Sequence, residues 1–187
     1  GMGMVGLYAA KSAGKYGNLE LNLKLKKLGS KGVKVNLLPR SITSDKEEFI
    51  KVIKETDILV DATTRDDTSK YIVSNDLIGY LKAHTIILDL TADPYLTDVN
   101  PIQVKAVEGI PTGTLDKPVI YVEDEIYKTI PQEVISKNRR TVVGCNAWPG
   151  IKPEECMYLY GIQLFPIIQK LVRLNKGMFT DKSDDYF

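Results

Sequence analysis

Four short apolar runs, each closed by a polar residue, are the feature that most constrains the fold of this chain. They are DILVDATT (57–64), TIILDLT (85–91), PVIYVE (118–123) and RTVVGCN (140–146). Short runs of this kind, rich in Ile and Val, are typical of strands buried on both faces of a parallel sheet. Helix-period segments alternate with them, such as the one carrying Leu77, Ile78 and Leu81. The alternation predicts an α/β domain with a mostly parallel sheet.

Shorter signals predict the remaining elements. The spacing predicts a helix over 4–16, a strand over 33–39 (VKVNLLP) and a long apolar helix over 153–175. Ser44 and Glu47 fit a capping box, and Pro131 fits the first turn of a short helix over 131–137. Residues 19–32 fit both an alternating strand and a helix. We predict one domain over residues 1–175 and a C-terminal tail over residues 176–187.

Charge and composition exclude several classes of function. The chain has 187 residues and a formal net charge of +1, so no general attraction to nucleic acid or anionic membranes is expected. No stretch approaches the roughly 18 apolar residues of a membrane span, and no signal segment opens the chain. The two cysteines are too few for a disulfide framework. We therefore expect a cytoplasmic protein with free thiols.

Polar residues at the ends of three predicted strands indicate a ligand site. They lie in the segments Asp61–Thr64, Asp89–Asp93 and Cys145–Asn146. In open parallel sheets, ligands bind just beyond the carboxyl ends of the strands, so these groups would ring one crevice together with Gly3 and Gly6. A metal site is not expected, because His84 is the sole histidine and the thiols lack metal-ligand spacing.

The opening GMGMVG fits the pattern Gly-x-Gly-x-x-Gly, which normally follows a β-strand and binds a dinucleotide. Later segments extend the pattern in order: GMVGLYAAKSAGKYG, ETDILVDATT, LIGYLKAHTIILDLTADP, PTGTLDKPVIYV and WPGIKPEECMYLYGIQLFPIIQKL. Over residues 3–172 they resemble the nucleotide-binding C-terminal domain of the alanine dehydrogenase and pyridine nucleotide transhydrogenase family.

The resemblance implies a Rossmann-like, doubly wound sheet that binds NAD or NADP. By position, Gly3 and Gly6 would face the pyrophosphate at a helix N-terminus. Asp93 falls on the family's aspartate near the nicotinamide and the substrate, and is the predicted catalytic residue. The predicted cofactor-binding residues are Gly3, Met4, Val5, Gly6, Arg40, Ser41, Ala62, Thr63, Thr64, Leu90 and Asn146.

This sequence departs from the family's pattern in three respects that bear on its expected function. No segment before the glycines supplies the first strand of the fold, and LELNLKLKKL is a candidate to fill its place. About 20 residues after the glycines the acidic ribose ligand is replaced by Lys24, while Arg40 and Ser41 would follow a second strand at 33–39. Basic groups there suit a 2′-phosphate, which slightly favours NADP over NAD. The family's substrate-binding lysine and histidine belong to an N-terminal domain that has no counterpart here.

Two functions follow as expectations. The first is the NAD(P)-binding part of an alanine dehydrogenase-like oxidoreductase, which transfers hydride only with a separate catalytic domain or partner. The second is a non-catalytic Rossmann-like binding or assembly module that has lost dinucleotide binding. The expected partner is a second copy of the chain or a separate catalytic domain. In the second function, the gap in the sheet and the apolar C-terminal helix would mediate self-association.

Overall fold

A computed structural model describes residues 1–14, 19–29, 32–91 and 93–173. The chain divides into two compact units, one over residues 1–146 and one that begins at Ala147. The prediction of a single domain over residues 1–175 stays a prediction, and the tail at 176–187 lies outside the described residues.

A four-stranded sheet forms the centre of the first unit. Its strands are β1 (Ile58–Asp61), β2 (Ile86–Asp89), β3 (Val119–Ile120) and β4 (Thr141–Gly144), in the spatial order β1-β2-β4-β3. β1, β2 and β4 are mutually parallel, and β3 pairs antiparallel with β4. All four lie within the four apolar runs, so the predicted α/β fold with a mostly parallel sheet is confirmed.

Five helices accompany these strands in the described part of the first unit. They are α1 (Met4–Gly14), α2 (Leu19–Lys27), α3 (Arg40–Thr43), α4 (Lys46–Ile53) and α5 (Asn75–Ile78), with a 3-10 helix at Glu125–Thr129. The second unit holds a 3-10 helix at Trp148–Ile151 and α6 (Pro153–Arg173). The long C-terminal helix is therefore present, with Pro166 inside it.

The hydrophobic core lies in the first unit and supports the sheet. Ile87 of β2 and Val142 of β4 are fully buried, and Phe49 and Ile53 of α4 pack in the same cluster. Burial of such side chains stabilises the fold by about 1.5–3 kcal/mol each. The core thus fixes the strand ends on which the candidate site is built.

Three local predictions are wrong: the strand over 33–39, the capping box of Ser44 and Glu47, and the short helix over 131–137. Residues 33–39 form no strand, and their alternating apolar side chains Val33, Val35 and Leu37 are exposed. Asp45, one residue after Ser44, caps α4 by accepting hydrogen bonds from the backbone N–H groups of Glu47 and Glu48.

The predicted short helix over 131–137 is a single turn, in which the Val134 N–H donates to the carbonyl of Pro131. The ambiguous segment at 19–32 is a helix over its first part, Leu19–Lys27. A strand that could fill the place of the first one is absent from the described residues before β1.

Candidate functional site

The carboxyl ends of three parallel strands meet at one edge of the sheet. Asp61 at the end of β1 is in register with Asp89 at the end of β2, and Asp89 is in register with Gly144 of β4. Both aspartates are buried. The strand-end groups that the sequence singles out are therefore neighbours, as a parallel sheet requires.

The two buried aspartates begin turns of the same geometry. Oδ1 of Asp61 accepts hydrogen bonds from the backbone N–H of Thr63 at 3.0 Å and from its hydroxyl at 2.7 Å. Oδ1 of Asp89 accepts the same two bonds from Thr91, at 3.0 and 2.7 Å. Each aspartate thereby fixes the orientation of the threonine two residues later. We call these the paired Asp-Thr turns.

The second carboxylate oxygens of the pair have different surroundings. Oδ2 of Asp89 accepts a hydrogen bond at 2.8 Å from Nζ of Lys105, whose side chain is 1% exposed. Oδ2 of Asp61 is buried and has no hydrogen-bond partner among the described residues. Desolvation raises the pKa of Asp61, and the two hydrogen bonds from Thr63 oppose that shift.

A buried arginine holds the predicted catalytic residue in place. Nη2 of Arg65 lies 2.6 Å from Oδ2 of Asp93, and the two side chains are 5% and 33% exposed. The Arg65 guanidinium also donates to the carbonyls of Thr68, Lys70 and Val104. These contacts fix the Asp93 carboxylate at the rim of the crevice while part of it faces solvent.

Two cavities adjoin this ion pair. The first has a volume of about 290 Å³, and we call it the threonine cavity; it is lined by Val5, Ala62, Thr63, Thr64, Arg65, Thr68, Leu90, Thr91 and Asp93. The second has a volume of about 450 Å³, and we call it the proline cavity; it is lined by Asp93, Pro94, Tyr95, Pro111, Thr112, Ile126, Thr129, Ile130 and Asn146. Among the described residues, Asp93 is common to both linings.

The N-terminal glycines lie in the turn before α1 and in the first turn of that helix. A Cβ at Gly1 would lie 2.0 Å from the carbonyl oxygen of Ala62, and a Cβ at Gly6 would lie 1.9 Å from that of Gly1. A Cβ at Gly3 would meet no described heavy atom within 4 Å. The turn therefore packs closely at its first and third glycines and faces open space at its second.

The structure brings together part of the predicted site. Val5, Ala62, Thr63, Thr64, Leu90 and Asp93 line the threonine cavity, and Asn146 lines the proline cavity. Three predicted residues line neither cavity: Gly3 lies in the turn before α1, and Met4 and Gly6 lie in the first turn of that helix. Arg40 and Ser41 lie in α3 and line neither cavity. Binding by any of these residues stays a prediction.

Sequence reasoning missed Arg65, Thr68 and Lys105, and it included Thr91 only within the segment Asp89–Asp93. Arg65 meets Asp93 across 28 positions of chain, and Lys105 meets Asp89 across 16. No local sequence pattern predicts such pairs, because their members are far apart in the chain. Thr91 did carry a signal, because Asp89-Leu-Thr91 repeats the spacing of Asp61-Ala-Thr63 on the preceding strand.

The described residues contain neither a metal-ligand cluster nor a membrane-spanning helix. No group of three or more His, Cys, Asp and Glu side chains there is placed to hold a metal ion. None of the described helices is long and apolar enough to cross a membrane.

Comparison with known proteins gives matches among solved structures. No protein-family model matches the chain, and no curated protein sequence matches it. A solved structure described as L-alanine dehydrogenase aligns with a TM-score of 0.49 and 16% sequence identity. The alignment covers 84% of this chain and 36% of that one, so the chain spans about a third of the neighbour's length.

Proposed function

We propose that the first unit binds NAD or NADP in the crevice at the carboxyl ends of β1, β2 and β4. In this role it is the nucleotide-binding part of an oxidoreductase that works with a separate catalytic domain or partner. The observation that carries the proposal is the threonine cavity, which joins Val5 of α1 to the ends of β1 and β2. Open α/β sheets bind their ligands at this position.

The geometry of the glycine turn fits a dinucleotide. In the Gly-x-Gly-x-x-Gly turn the first glycine allows a tight turn, the second lets the backbone approach the pyrophosphate, and the third allows close packing. Gly1 and Gly6 are in close backbone contact here, whereas the space in front of Gly3 is open. The 11-residue helix α1 begins at Met4, directly after Gly3, and the N-terminus of a helix favours binding of an anion.

Asp93 is suited to orienting a ligand. Arg65 occupies its Oδ2, and the exposed part of the carboxylate adjoins both cavities. A carboxylate fixed in this way accepts a hydrogen bond from a ligand donor without reorganising. The bound nicotinamide would supply hydride transfer, and Asp93 would position the donor group beside it.

The choice between the two cofactors rests on the basic residues near the predicted ribose site. Lys24 lies in α2 and pairs with Glu20 at 2.7 Å, while Arg40 is exposed in α3. Neither residue lines the threonine cavity or the proline cavity. NADP remains slightly favoured on charge alone, so both cofactors belong in the test.

The test is isothermal titration with NADH and with NADPH. Gly3→Ala places a methyl group in the open space before α1, and we expect it to weaken binding of the preferred cofactor about tenfold or more. Gly14→Ala is the matched control, because Gly14 lies at the other end of α1 and a Cβ there would also meet no described heavy atom within 4 Å. Absence of binding by the unaltered protein to both cofactors at millimolar concentration would refute the proposal.

A second candidate function is supported by α6. Between Glu155 and Lys170 no side chain of this helix carries a charge, and none of its residues is buried. A helix that is apolar on all sides is normally buried. We propose on this ground that α6 mediates self-association, whether or not the crevice binds a cofactor.

A further inference from the structure

One side of the helix α6 carries a row of large apolar side chains. Its members follow one another at spacings of three, four and three residues, so they lie along the same side of the helix: Met157, Tyr160, Leu164 and Ile167. They are between 43% and 60% exposed, and we call them the α6 stripe. The adjoining row, shifted by one residue, includes Gly161 and so lacks one side chain. Apolar residues at the spacing of the α6 stripe form the seam along which two helices pack.

Charged side chains are confined to the two ends of α6. Glu154 and Glu155 lie in its first turn, and Lys170 and Arg173 lie in its last turn. Lys152, just before the helix, has its Nζ 3.7 Å from Oε1 of Glu155 and compensates one of the two negative charges. The helix is therefore acidic where it begins and basic where it ends.

The α6 stripe is symmetric about Ile162. Met157 and Ile167 lie at equal distances along the chain on either side of that residue, and so do Tyr160 and Leu164. A second copy of α6 that runs in the opposite direction therefore presents the same spacing. The two stripes can meet along their whole length without a shift in register.

The charges favour that direction over the parallel one. Glu154 and Lys170 also lie at equal distances from Ile162, so antiparallel pairing places the acidic first turn of each copy beside the basic last turn of the other. Parallel pairing would place like charges together at both ends. Packed helix axes are about 8–10 Å apart, which is within the screening length of about 10 Å at 0.1 M salt. Like charges at that separation oppose association, and opposite charges favour it.

We propose that α6 pairs antiparallel with α6 of a second copy of this chain, about a two-fold axis at Ile162 and with the two α6 stripes in contact. Met157 of one copy then faces Ile167 of the other, and Tyr160 faces Leu164. In such an interface every contact occurs twice. This arrangement rests on the self-association proposed above for α6 and does not depend on cofactor binding.

The first experiment is disulfide cross-linking of the full chain. Met157→Cys and Ile167→Cys are made separately in a chain that carries Cys156→Ser, where the remaining Cys145 is buried. Each variant is oxidised alone and after mixing with the other. We expect a cross-linked dimer from the mixture only, because two copies of residue 157 would lie about 15 Å apart along the antiparallel pair. A disulfide requires Cβ atoms about 3.5–4.5 Å apart.

The outcomes separate the orientation from self-association itself. A dimer that cross-links from either variant alone is parallel and would overturn the proposal while leaving self-association in place. A dimer by light scattering that cross-links in none of the three samples would overturn it as well, because the α6 stripes are then not in contact. A monomer at every concentration would refute both, and would mean that α6 packs within its own chain or on a different protein.

Charge reversal tests the orientation without cysteines. Glu154→Lys with Glu155→Lys makes both ends of α6 basic, and we expect it to raise the dissociation constant of the dimer about fivefold or more, as measured by analytical ultracentrifugation. Adding Lys170→Glu with Arg173→Glu restores opposite signs at each end and should bring the constant back to within about twofold of the original.

The matched control reverses two acidic residues in the first turn of another helix. Glu47→Lys with Glu48→Lys does so on the exposed side of α4 and should leave the dissociation constant unchanged. If the fourfold variant of α6 dissociates more readily than the twofold variant, opposite charges do not meet across the pair and the antiparallel arrangement is wrong.

Discussion

At the scale of single residues, the site depends on buried charges whose partners are distant in the chain. Lys105 and Asp89 are 1% and 3% exposed and form an ion pair at 2.8 Å. Removing one partner of such a pair leaves an uncompensated buried charge, whereas replacing both partners is often nearly neutral.

Lys105→Met is therefore expected to lower the free energy of unfolding by about 3–5 kcal/mol, as measured by urea denaturation. Adding Asp89→Asn should restore part of that loss, because the remaining charge is then removed. Lys51→Met breaks an exposed pair with Glu48 and is the control, with no measurable change expected. A loss in the double variant equal to the sum of both single losses would contradict this account.

Asp61 gives the site a specific pH dependence. Burial raises its pKa, so between the unfolded and the folded pKa the folded state binds more protons than the unfolded state. Its contribution to stability is therefore present at low pH and is lost as pH rises from about 3.9, the unfolded value, through the raised folded value.

Asp61→Asn removes this titration and keeps an acceptor for Thr63. We expect the stability of the variant relative to the unaltered protein to increase as pH is raised from 4 to 7, measured by urea denaturation at each pH. Asp57, Asp76 and Asp124 have lowered pKa values, but they are unchanged in the variant and cancel in the difference. A difference that does not vary with pH would show that Asp61 titrates normally.

Candidate site residues could be predicted from the sequence where their position at the end of a strand determines where they lie. Asp61 and Thr63 were identified because they end a strand. Arg65 and Lys105 were missed because only folding brings them to Asp93 and Asp89.

Among the elements, the apolar runs located all four strands, although only alternate residues of each strand are buried and the residues between them are partly buried or exposed. Alternation was a weaker guide. Residues 33–39 alternate but have no strand partner in the described structure, and residues 19–27 alternate but form a helix. An alternating pattern becomes a strand only where tertiary packing buries one face.

Truncating a side chain of the central strand β2 should therefore lower the free energy of unfolding far more than truncating one of the edge strand β1. Ile87 of β2 is fully buried between β1 and β4, and Ile87→Ala is expected to cost about 2–5 kcal/mol of unfolding free energy. Ile58 of β1 is 59% exposed, and Ile58→Ala should change stability by about 0.5 kcal/mol or less. Thermal or urea denaturation compares the two, and equal losses would contradict the described sheet order.

At the scale of the whole molecule, exposed apolar surface is concentrated on α6. Its exposed large side chains are Met157, Tyr158, Leu159, Tyr160, Ile162, Leu164, Phe165, Ile167, Ile168 and Val172. Aromatic side chains alone bury about 150–250 Å² each, and a stable interface needs about 800 Å² per partner. The helix therefore carries enough apolar area for association with a second copy.

We expect the protein to be oligomeric by light scattering after size-exclusion chromatography, and Phe165→Glu with Ile168→Glu to shift it toward the monomer. Lys51→Glu, on the exposed face of α4, is the control and should leave the oligomer unchanged. A monomer at every concentration would exclude self-association through α6.

The proposed function requires that the crevice at the carboxyl ends of the parallel strands binds a nicotinamide dinucleotide. The most direct measurement is an amide NMR titration of the full chain with NADH, repeated with NADPH. We expect the largest shifts at Gly3, Gly6, Thr63, Thr64 and Thr91. Shifts confined to residues outside the glycine turn and the threonine cavity, or no shifts at millimolar cofactor, would contradict it.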